Sequence, residues 1–124
     1  MRILVTGSRD WTDDKAIAEA LIQGSVAEAL RKDTERIIVV HGGARGTDLL
    51  AHYWATKWGW ITEAHPAGND PKARNQRMVD LGADVCLAFA TRWASGTGHC
   101  ARAARRAGIH TVDYGVSTLM EDRP

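Results

Sequence analysis

The sequence predicts an α/β domain in which helices cover both faces of a mostly parallel sheet. Three observations predict it: five short apolar or β-branched runs, helical spacing between them, and a glycine after three of the helical segments. The runs are apolar at consecutive positions, which is typical of strands buried on both faces and therefore of parallel sheets. Because parallel strands are joined by right-handed crossovers, we expect a Rossmann-like three-layer domain with a mostly parallel five-stranded sheet.

The five predicted strands are short and rich in β-branched and other apolar residues. In chain order they cover residues 3–5, 37–40, 60–62, 85–89 and 111–112. At 124 residues the chain has the length of one domain. We therefore predict a single domain over residues 1–114, followed by a loose C-terminal tail over residues 115–124.

Four predicted helices lie between consecutive strands. The first spans residues 13–31, with Thr12 or Asp13 as its N-cap, and apolar residues recur along one of its faces. A helix commonly ends at a residue in the left-handed conformation, which glycine adopts without a Cβ clash. The glycines in that position after the last apolar helical residue are Gly59, Gly82 and Gly108.

The composition excludes several classes of protein. Sixteen Lys and Arg against fifteen Asp and Glu leave a net charge of +1, so no global positive field exists to hold duplex DNA. No apolar run is long enough for a membrane span, and no charged and apolar leader precedes the first strand. Cys86 and Cys100 lie in apolar or alanine-rich surroundings, which favours buried free thiols over a disulfide. We therefore expect a cytoplasmic protein that does not contact membranes.

Glycine-rich and polar segments follow the predicted strands. They occupy residues 7–10, 41–48, 65–70 and 94–99. In an open parallel sheet, ligands bind outside the carboxyl ends of the strands, where helix N-termini direct free N–H groups at one crevice. The sequence therefore predicts a ligand site at that edge of the sheet.

The segment after the second strand, Gly42-Gly43-Ala44-Arg45-Gly46-Thr47-Asp48, has the composition of a phosphate-binding loop. Its glycines would let the backbone approach a phosphate, its arginine adds a donor, and its threonine would cap the next helix. It lacks the Lys-Ser/Thr pair of a P-loop, so ATP hydrolysis is not indicated. The alternative is that the glycines only make tight turns. A second loop of this kind, Gly96-Thr97-Gly98, favours anion binding.

Arg74 and Arg77 lie three residues apart near the start of the third helix, with Asn75 between them. Residues at this spacing share a helix face, so one of the two guanidinium groups would reach into the crevice. The alternative is a solvated basic face, which is ordinary for a pair of arginines.

Histidines and tryptophans also fall near the strand ends. His41, His65 and His99 are joined by no cysteine or carboxylate at ligand spacing, so we expect neither a metal nor a cofactor. Trp11 and Trp93 follow site loops and are candidates for stacking on a base, whereas the other tryptophans are expected in the core or an interface.

Taken in order, the motifs resemble the SLOG superfamily, and most closely its small stand-alone YspA-like members. The likeness runs from Ile3 to about Val112 and includes the Arg-Asn-Gln-Arg-Met segment that begins at Arg74. It implies that a nucleotide-related ligand contacts the matching residues. These are Gly7, Ser8, Arg9, Gly42, Gly43, Ala44, Arg45, Gly46, Thr47, Asp48, Arg74, Asn75, Arg77, Gly96, Thr97, Gly98 and His99.

Two branches of that superfamily share parts of the pattern. The Gly-Ser-Arg turn and the Gly-Gly-Ala-Arg-Gly-x-Asp loop resemble the DNA-processing protein A family, which binds single-stranded DNA. The Arg-x-x-x-Met segment and the Gly-Thr loop resemble LOG enzymes, which cleave the N-glycosidic bond of nucleoside 5′-monophosphates with an arginine and a glutamate. Arg74 matches the arginine, but Cys100 stands at the glutamate position, and a neutral thiol cannot stabilise an oxocarbenium-like state. Asp48 or Asp10 would have to supply the carboxylate.

Three functions remain, in order of preference. The first is binding or sensing of a nucleotide or nucleotide-derived phosphate, and the second is a phosphoribohydrolase with Arg74 and Asp48 as candidate catalytic residues. The third is single-stranded DNA binding, which the near-neutral charge disfavours. We also expect a homodimer, because the aromatic residues of the second helix and the alanine-rich fourth helix offer more apolar area than one sheet face usually covers. The alternative is that all of this area packs in the core of a single chain. The LOG resemblance implies pairing through such helices. The residues concerned are Tyr53, Trp54, Trp58, Ala101, Ala103, Ala104 and Ala107.

Overall fold

The computed structural model describes residues 1–32, 36–91 and 95–115, and within them strands and helices alternate along the chain. This alternation confirms the α/β class. In chain order the elements are β1 (Arg2–Gly7), α1 (Asp14–Lys32), β2 (Ile38–His41), α2 (Thr47–Lys57), β3 (Ile61–Ala64), α3 (Pro71–Asp80), β4 (Val85–Ala90), α4 (Ser95–Arg106) and β5 (His110–Gly115).

The five strands form one sheet in the order β3-β2-β1-β4-β5. Every neighbouring pair is parallel, so the described sheet is wholly rather than mostly parallel. The chain builds outward from β1 to β3 and then returns to the other side of β1 for β4. The gap between the carboxyl ends of β1 and β4 is therefore the topological switch point, where ligands bind in open α/β sheets.

Two apolar cores, one on each face of the sheet, make the domain three-layered, as predicted. On one face Ile3, Val5 and Phe89 pack against α1 and α2, and Leu21 of α1 is fully buried there. On the other face the core residues of the sheet and of α3 and α4 are Leu4, Val40, Met78, Val79, Cys86, Cys100, Ala103, Ala104 and Ile109. Both cysteines are buried and free, as expected.

The helix ends follow the sequence signals in most places. The Asp13 side chain accepts a hydrogen bond from Ala16 N at 3.1 Å, which selects Asp13 over Thr12 as the cap of α1. The three glycines predicted after helices have positive φ values, 76° at Gly59, 85° at Gly82 and 82° at Gly108. Their backbone conformation explains why glycine occupies these positions.

The predicted capping role of Thr47 is wrong. Gly46 is the N-cap of α2 and no side chain caps this helix, because Thr47 is already its first helical residue. The Thr47 hydroxyl instead donates to Ser8 O at 3.0 Å. A contact with a residue 39 positions away therefore takes the place of a local cap.

The α4 part of the argument for a homodimer is wrong for three of its four alanines. Ala101, Ala103 and Ala104 are at most 4% exposed, whereas Ala107 near the end of the helix is exposed. On α2, Leu49 and Tyr53 are 48% and 52% exposed. Of the two helices in that argument, α2 therefore offers the larger apolar surface to a partner.

The described chain ends with its last strand, which runs to Gly115. Residues 116–124 of the predicted tail lie outside the described residues. No helix in the described ranges combines the length and apolarity needed to cross a bilayer.

Candidate functional site

The loops after β1 and β4 are tied together at the switch point. Ser8 N donates to Phe89 O at 2.8 Å, and the Ser8 hydroxyl accepts from Thr91 N at 3.1 Å. The Thr91 hydroxyl donates to the Asp10 carboxylate at 2.6 Å. Ser8 is buried, so its hydroxyl holds the two strand ends together rather than facing a substrate.

The start of α2 packs closely against the loop after β1. Ser8 O accepts from both the amide and the hydroxyl of Thr47, at 3.2 and 3.0 Å. A Cβ at Gly7 would lie 2.3 Å from Thr47 Oγ1, and a Cβ at Gly46 would lie 2.3 Å from Arg9 O. These two predicted ligand-binding glycines are thus required by backbone packing, while Arg9 and Arg45 are exposed beside them.

The loop between β2 and α2 is closed by Asp48. The Asp48 Oδ2 atom accepts from Gly42 N at 3.1 Å and from Ala44 N at 3.2 Å. Gly43 N donates to His41 Nδ1 at 3.0 Å. Three amides of the predicted phosphate-binding loop therefore already have acceptors within the protein. Fewer amides of this loop are left to bind a phosphate.

Arg74 reaches from α3 to the carboxyl ends of β2 and β3. Its Nη1 atom donates to Gly42 O at 2.7 Å and to His65 O at 3.0 Å, and its Nε atom donates to the Asn75 side chain at 2.9 Å. A Cβ at Gly42 would lie 2.1 Å from Nη1, so the guanidinium rests directly on that glycine. Arg77 is exposed on the same helix.

Asp48 is a buried carboxylate beside this arginine. Its side chain is 6% exposed, and burial raises its pKa to about 6 against the opposing effects of the Ala44 amide and the Arg74 charge. In the described part of the chain its second oxygen, Oδ1, is buried and has no hydrogen-bond partner. The sequence analysis identified Asp48 as a candidate, but it did not predict that only one of the two carboxylate oxygens would be hydrogen-bonded.

Cys100 lies in α4, in the core cluster that also contains Met78 of α3. It is fully buried, and burial raises the pKa of its thiol to about 11. The Arg74 charge lowers that pKa and the Asp48 charge raises it, but burial has the larger effect. The position of the LOG glutamate is thus occupied by a neutral thiol.

The predicted Gly96-Thr97-Gly98 loop is the first turn of α4, which begins at Ser95. The first N–H groups of a helix have no intrahelical acceptor and favour anions. Burial and the neighbouring cations Lys72, Arg102 and Arg106 lower the pKa of His99. The N-terminal turn of α4 is therefore bordered by positive charge.

His41 and His52 form a pair that the sequence analysis missed in part, because only His41 was singled out. Their Nε2 and Nδ1 atoms are 3.1 Å apart. Burial, more than the nearby His52, His65 and Arg74, lowers the pKa of His41 to about 4. Since Gly43 N donates to His41 Nδ1, a neutral His41 carries its proton on Nε2 and donates it to His52. The sequence signal that could have drawn attention to His52 is its spacing of four residues from Asp48, which puts both side chains on one face of α2.

Trp11 and His65 have partners within the protein. Trp11 packs edge-on against Phe89 with ring centroids 5.3 Å apart and donates to Asp13 O, so it belongs to the core and is not a free stacking platform. Trp93 lies outside the described residues. His65 Nε2 is 2.8 Å from Glu63 Oε2. Across the three described ranges, no three His, Cys, Asp or Glu side chains are grouped so that they could hold a metal ion.

Comparison with known proteins gives two matches. A family described as "YspA, cpYpsA-related SLOG family" matches residues 1–69, more than half of the chain. The chain belongs to this SLOG family. The gene 61 protein of Mycobacterium phage D29 is 42% identical over 127 residues, which cover 92% of this chain and 96% of the phage protein.

Membership of the SLOG family indicates a nucleotide-related ligand in general terms. The matched residues 1–69 include the β1 loop, the loop closed by Asp48 and the whole of α2. The loop after β4 and helix α4, on the other side of the switch point, lie outside the matched residues.

Proposed function

We propose that this SLOG protein binds a nucleotide or nucleotide-derived phosphate at the carboxyl edge of its sheet, outside β1 and β4. One observation carries the proposal. Helices α3 and α4 share one core cluster on the same face of the sheet, and Arg74 of α3 donates to Gly42 O and His65 O at the carboxyl ends of β2 and β3, so its guanidinium and the N-terminal turn of α4 lie at the same edge of the sheet. A helix N-terminus and a guanidinium are the two commonest protein partners of phosphate.

The phosphate belongs at the first turn of α4, near Thr97 and Gly98, with Arg9 on the opposite side of the switch point. The amides of residues 42–44 are unsuitable partners because they already donate to Asp48 and His41. The Asp48 carboxylate would also repel a phosphate placed beside it. The anionic and neutral parts of the ligand therefore take different ends of the crevice.

The direct test is a thermal-shift and calorimetry panel with AMP, ADP-ribose, NAD and cyclic dinucleotides. A ligand that binds only the folded protein raises its melting temperature by mass action. Arg74→Ala and Arg9→Ala should each weaken binding by about 1.5–3 kcal/mol, the contribution of a charge-assisted hydrogen bond. Arg36→Ala serves as the control, because Arg36 is an exposed arginine just before β2, at the opposite edge of the sheet. Binding by both crevice variants as tight as by the control would contradict the proposal.

A second candidate function is cleavage of nucleoside 5′-monophosphates, favoured by the proximity of Asp48 and Arg74. We expect this hydrolysis to be slow or absent, because the thiol of Cys100 stays neutral where the LOG enzymes carry a carboxylate. Release of free base from AMP, followed by chromatography, measures it. Rapid release that Arg74→Ala abolishes would make the protein an enzyme.

We further propose a cytoplasmic homodimer. The two buried free thiols suit a reducing compartment. The exposed Leu49 and Tyr53, next to the packed Trp54, Trp58 and Trp60 rings, form an apolar surface on α2 that a second copy would cover.

A further inference from the structure

The Asp48 carboxylate is satisfied on one oxygen only. Oδ2 accepts two backbone amides, which fix the orientation of the side chain, whereas the buried Oδ1 has no partner in the described part of the chain. A buried acceptor without a donor is rare in native proteins and calls for a missing group. The carboxylate lies at the carboxyl end of β2, since its other oxygen accepts from Gly42 N while Arg74 donates to Gly42 O.

Arg74 is held away from this oxygen by its own hydrogen bonds. It donates through Nη1 to Gly42 O and His65 O and through Nε to Asn75, which holds the guanidinium on the strand ends. Among the described residues no donor reaches Oδ1. The donor that Oδ1 requires therefore comes from a bound molecule.

The chemistry of a nucleotide identifies that donor. Phosphate oxygens are acceptors and negatively charged at neutral pH, so they are repelled by a carboxylate. Sugar hydroxyl groups are neutral donors, and a hydroxyl that donates to a carboxylate makes a charge-assisted hydrogen bond. A carboxylate that binds a ribose hydroxyl is the usual way in which α/β nucleotide sites read the sugar.

We propose that Asp48 Oδ1 accepts a hydrogen bond from a ribose hydroxyl of the bound ligand, so that the site selects ribonucleotides over deoxyribonucleotides. This inference rests on the proposed function and adds the sugar to it. Because Oδ1 is shielded from solvent, the hydroxyl reaches it only when a neighbouring side chain moves.

The test compares each of the four ribonucleoside monophosphates with its 2′-deoxy and 3′-deoxy counterparts, and with inorganic phosphate, by calorimetry at neutral pH. The wild-type protein should bind the ribonucleotide at least tenfold more tightly than one of its deoxy counterparts. Asp48→Asn keeps an oxygen for the two loop amides but puts an NH2 donor in place of Oδ1. In this variant the ratio between ribo and deoxy ligands should fall to about one, with inorganic phosphate bound as tightly as before or more tightly. Asp80→Asn, on the exposed face of α3, is the control and should keep the wild-type ratio.

Each outcome decides the matter. Equal affinities for ribo and deoxy ligands in the wild-type protein would overturn the ribose assignment and leave nucleotide binding intact. Preserved discrimination in Asp48→Asn would overturn the role of this oxygen. If neither these monophosphates nor ADP-ribose, NAD or the cyclic dinucleotides bind, both the ribose contact and the proposed function are wrong. The wild-type comparison does not depend on the variant, so it decides the assignment even if Asp48→Asn fails to fold.

Discussion

At Gly42 the backbone passes directly under the Arg74 guanidinium, so one missing Cβ decides where the arginine can lie. Gly42→Ala would put a methyl group 2.1 Å from Nη1 and 2.5 Å from Cζ, and the guanidinium would have to leave the strand ends. We expect this variant to lose ligand affinity as Arg74→Ala does, by about 1.5–3 kcal/mol, because the same donor is displaced. Calorimetry on the two variants and their double combination measures the effect. If the two losses add in the double variant, Gly42 and Arg74 act independently and the interpretation is wrong.

Two buried titrating residues oppose each other as the pH falls. His41 has a pKa lowered to about 4, so folding loses stability as the pH drops from 6.5, where the unfolded histidine is protonated, to about 4. Asp48 has a pKa raised to about 6, so the cost of burying its charge is relieved as the pH drops from 6 to 3.8. Each effect amounts to about 3 kcal/mol at most, and the two nearly cancel in the wild-type protein.

Replacing either His41 or Asp48 should reveal the pH dependence of stability that the other residue causes. Asp48→Asn should lose stability on acidification from pH 6.5 to 4 more steeply than the wild type, while His41→Asn should gain stability over the same interval. The positive charges facing these residues, Arg9 and Arg74, and the neighbouring His52 and His65, remain in both variants. Urea denaturation at a series of pH values measures the free energy of unfolding. Parallel pH curves for Asp48→Asn and the wild type would contradict this account.

Among the elements, the junction between β1 and α2 depends on the Thr47 hydroxyl. Thr47→Val keeps the shape of the side chain but removes the hydrogen bond to Ser8 O, which still accepts two backbone amides. We expect a loss of about 1 kcal/mol in the free energy of unfolding. Thr111→Val is the matched control, because the Thr111 hydroxyl donates to Ile109 O, two residues away on the chain. If chemical denaturation gives equal losses of unfolding free energy for the two variants, the long-range hydrogen bond stabilises the protein no more than the local one does.

Helix α1 carries a glycine that its surroundings do not require. A Cβ at Gly24 would meet its nearest atom, Val85 Cγ1, at 3.8 Å, an ordinary contact. Gly24→Ala should therefore stabilise the protein by up to about 1 kcal/mol through helix propensity. Thermal and urea unfolding measure this, with Gly46→Ala as the opposite case because its Cβ would meet Arg9 O at 2.3 Å and its φ is 76°. A destabilised Gly24→Ala variant would mean that α1 packs more tightly here than its contacts indicate.

For the whole molecule, the assembly state depends on the exposed face of α2. We expect light scattering at micromolar concentration to give a mass of twice 13.6 kDa, because Leu49 and Tyr53 are covered in the proposed dimer. Tyr53→Asp should give the single-chain mass, since it would bury a charge at the interface. Leu81→Asp should leave the dimer intact, because Leu81 is 57% exposed beyond the end of α3, on the other face of the sheet. A wild-type mass of one chain would refute the dimer.

The sequence by itself determined the class of fold and the edge of the sheet that carries the site. Apolar runs such as residues 85–89 predict strands through their pattern, and the glycines after helices predict helix ends through their own backbone conformation. Neither signal depends on distant partners. Once five parallel strands alternate with helices, the polar segments after the strands must meet at one edge. Prediction at this level required only local signals and the handedness of crossovers.

Tertiary structure decided which atoms at that edge remain available to a ligand. Thr47 bonds to Ser8 rather than capping α2, Asp48 occupies loop amides that were expected to bind phosphate, and Arg74 lies on Gly42 across 32 positions of sequence. The pairing of His41 with His52 arises in the same way. A hydrogen bond forms with whichever partner the packed elements bring within about 3 Å, and residue spacing along the chain does not specify that partner.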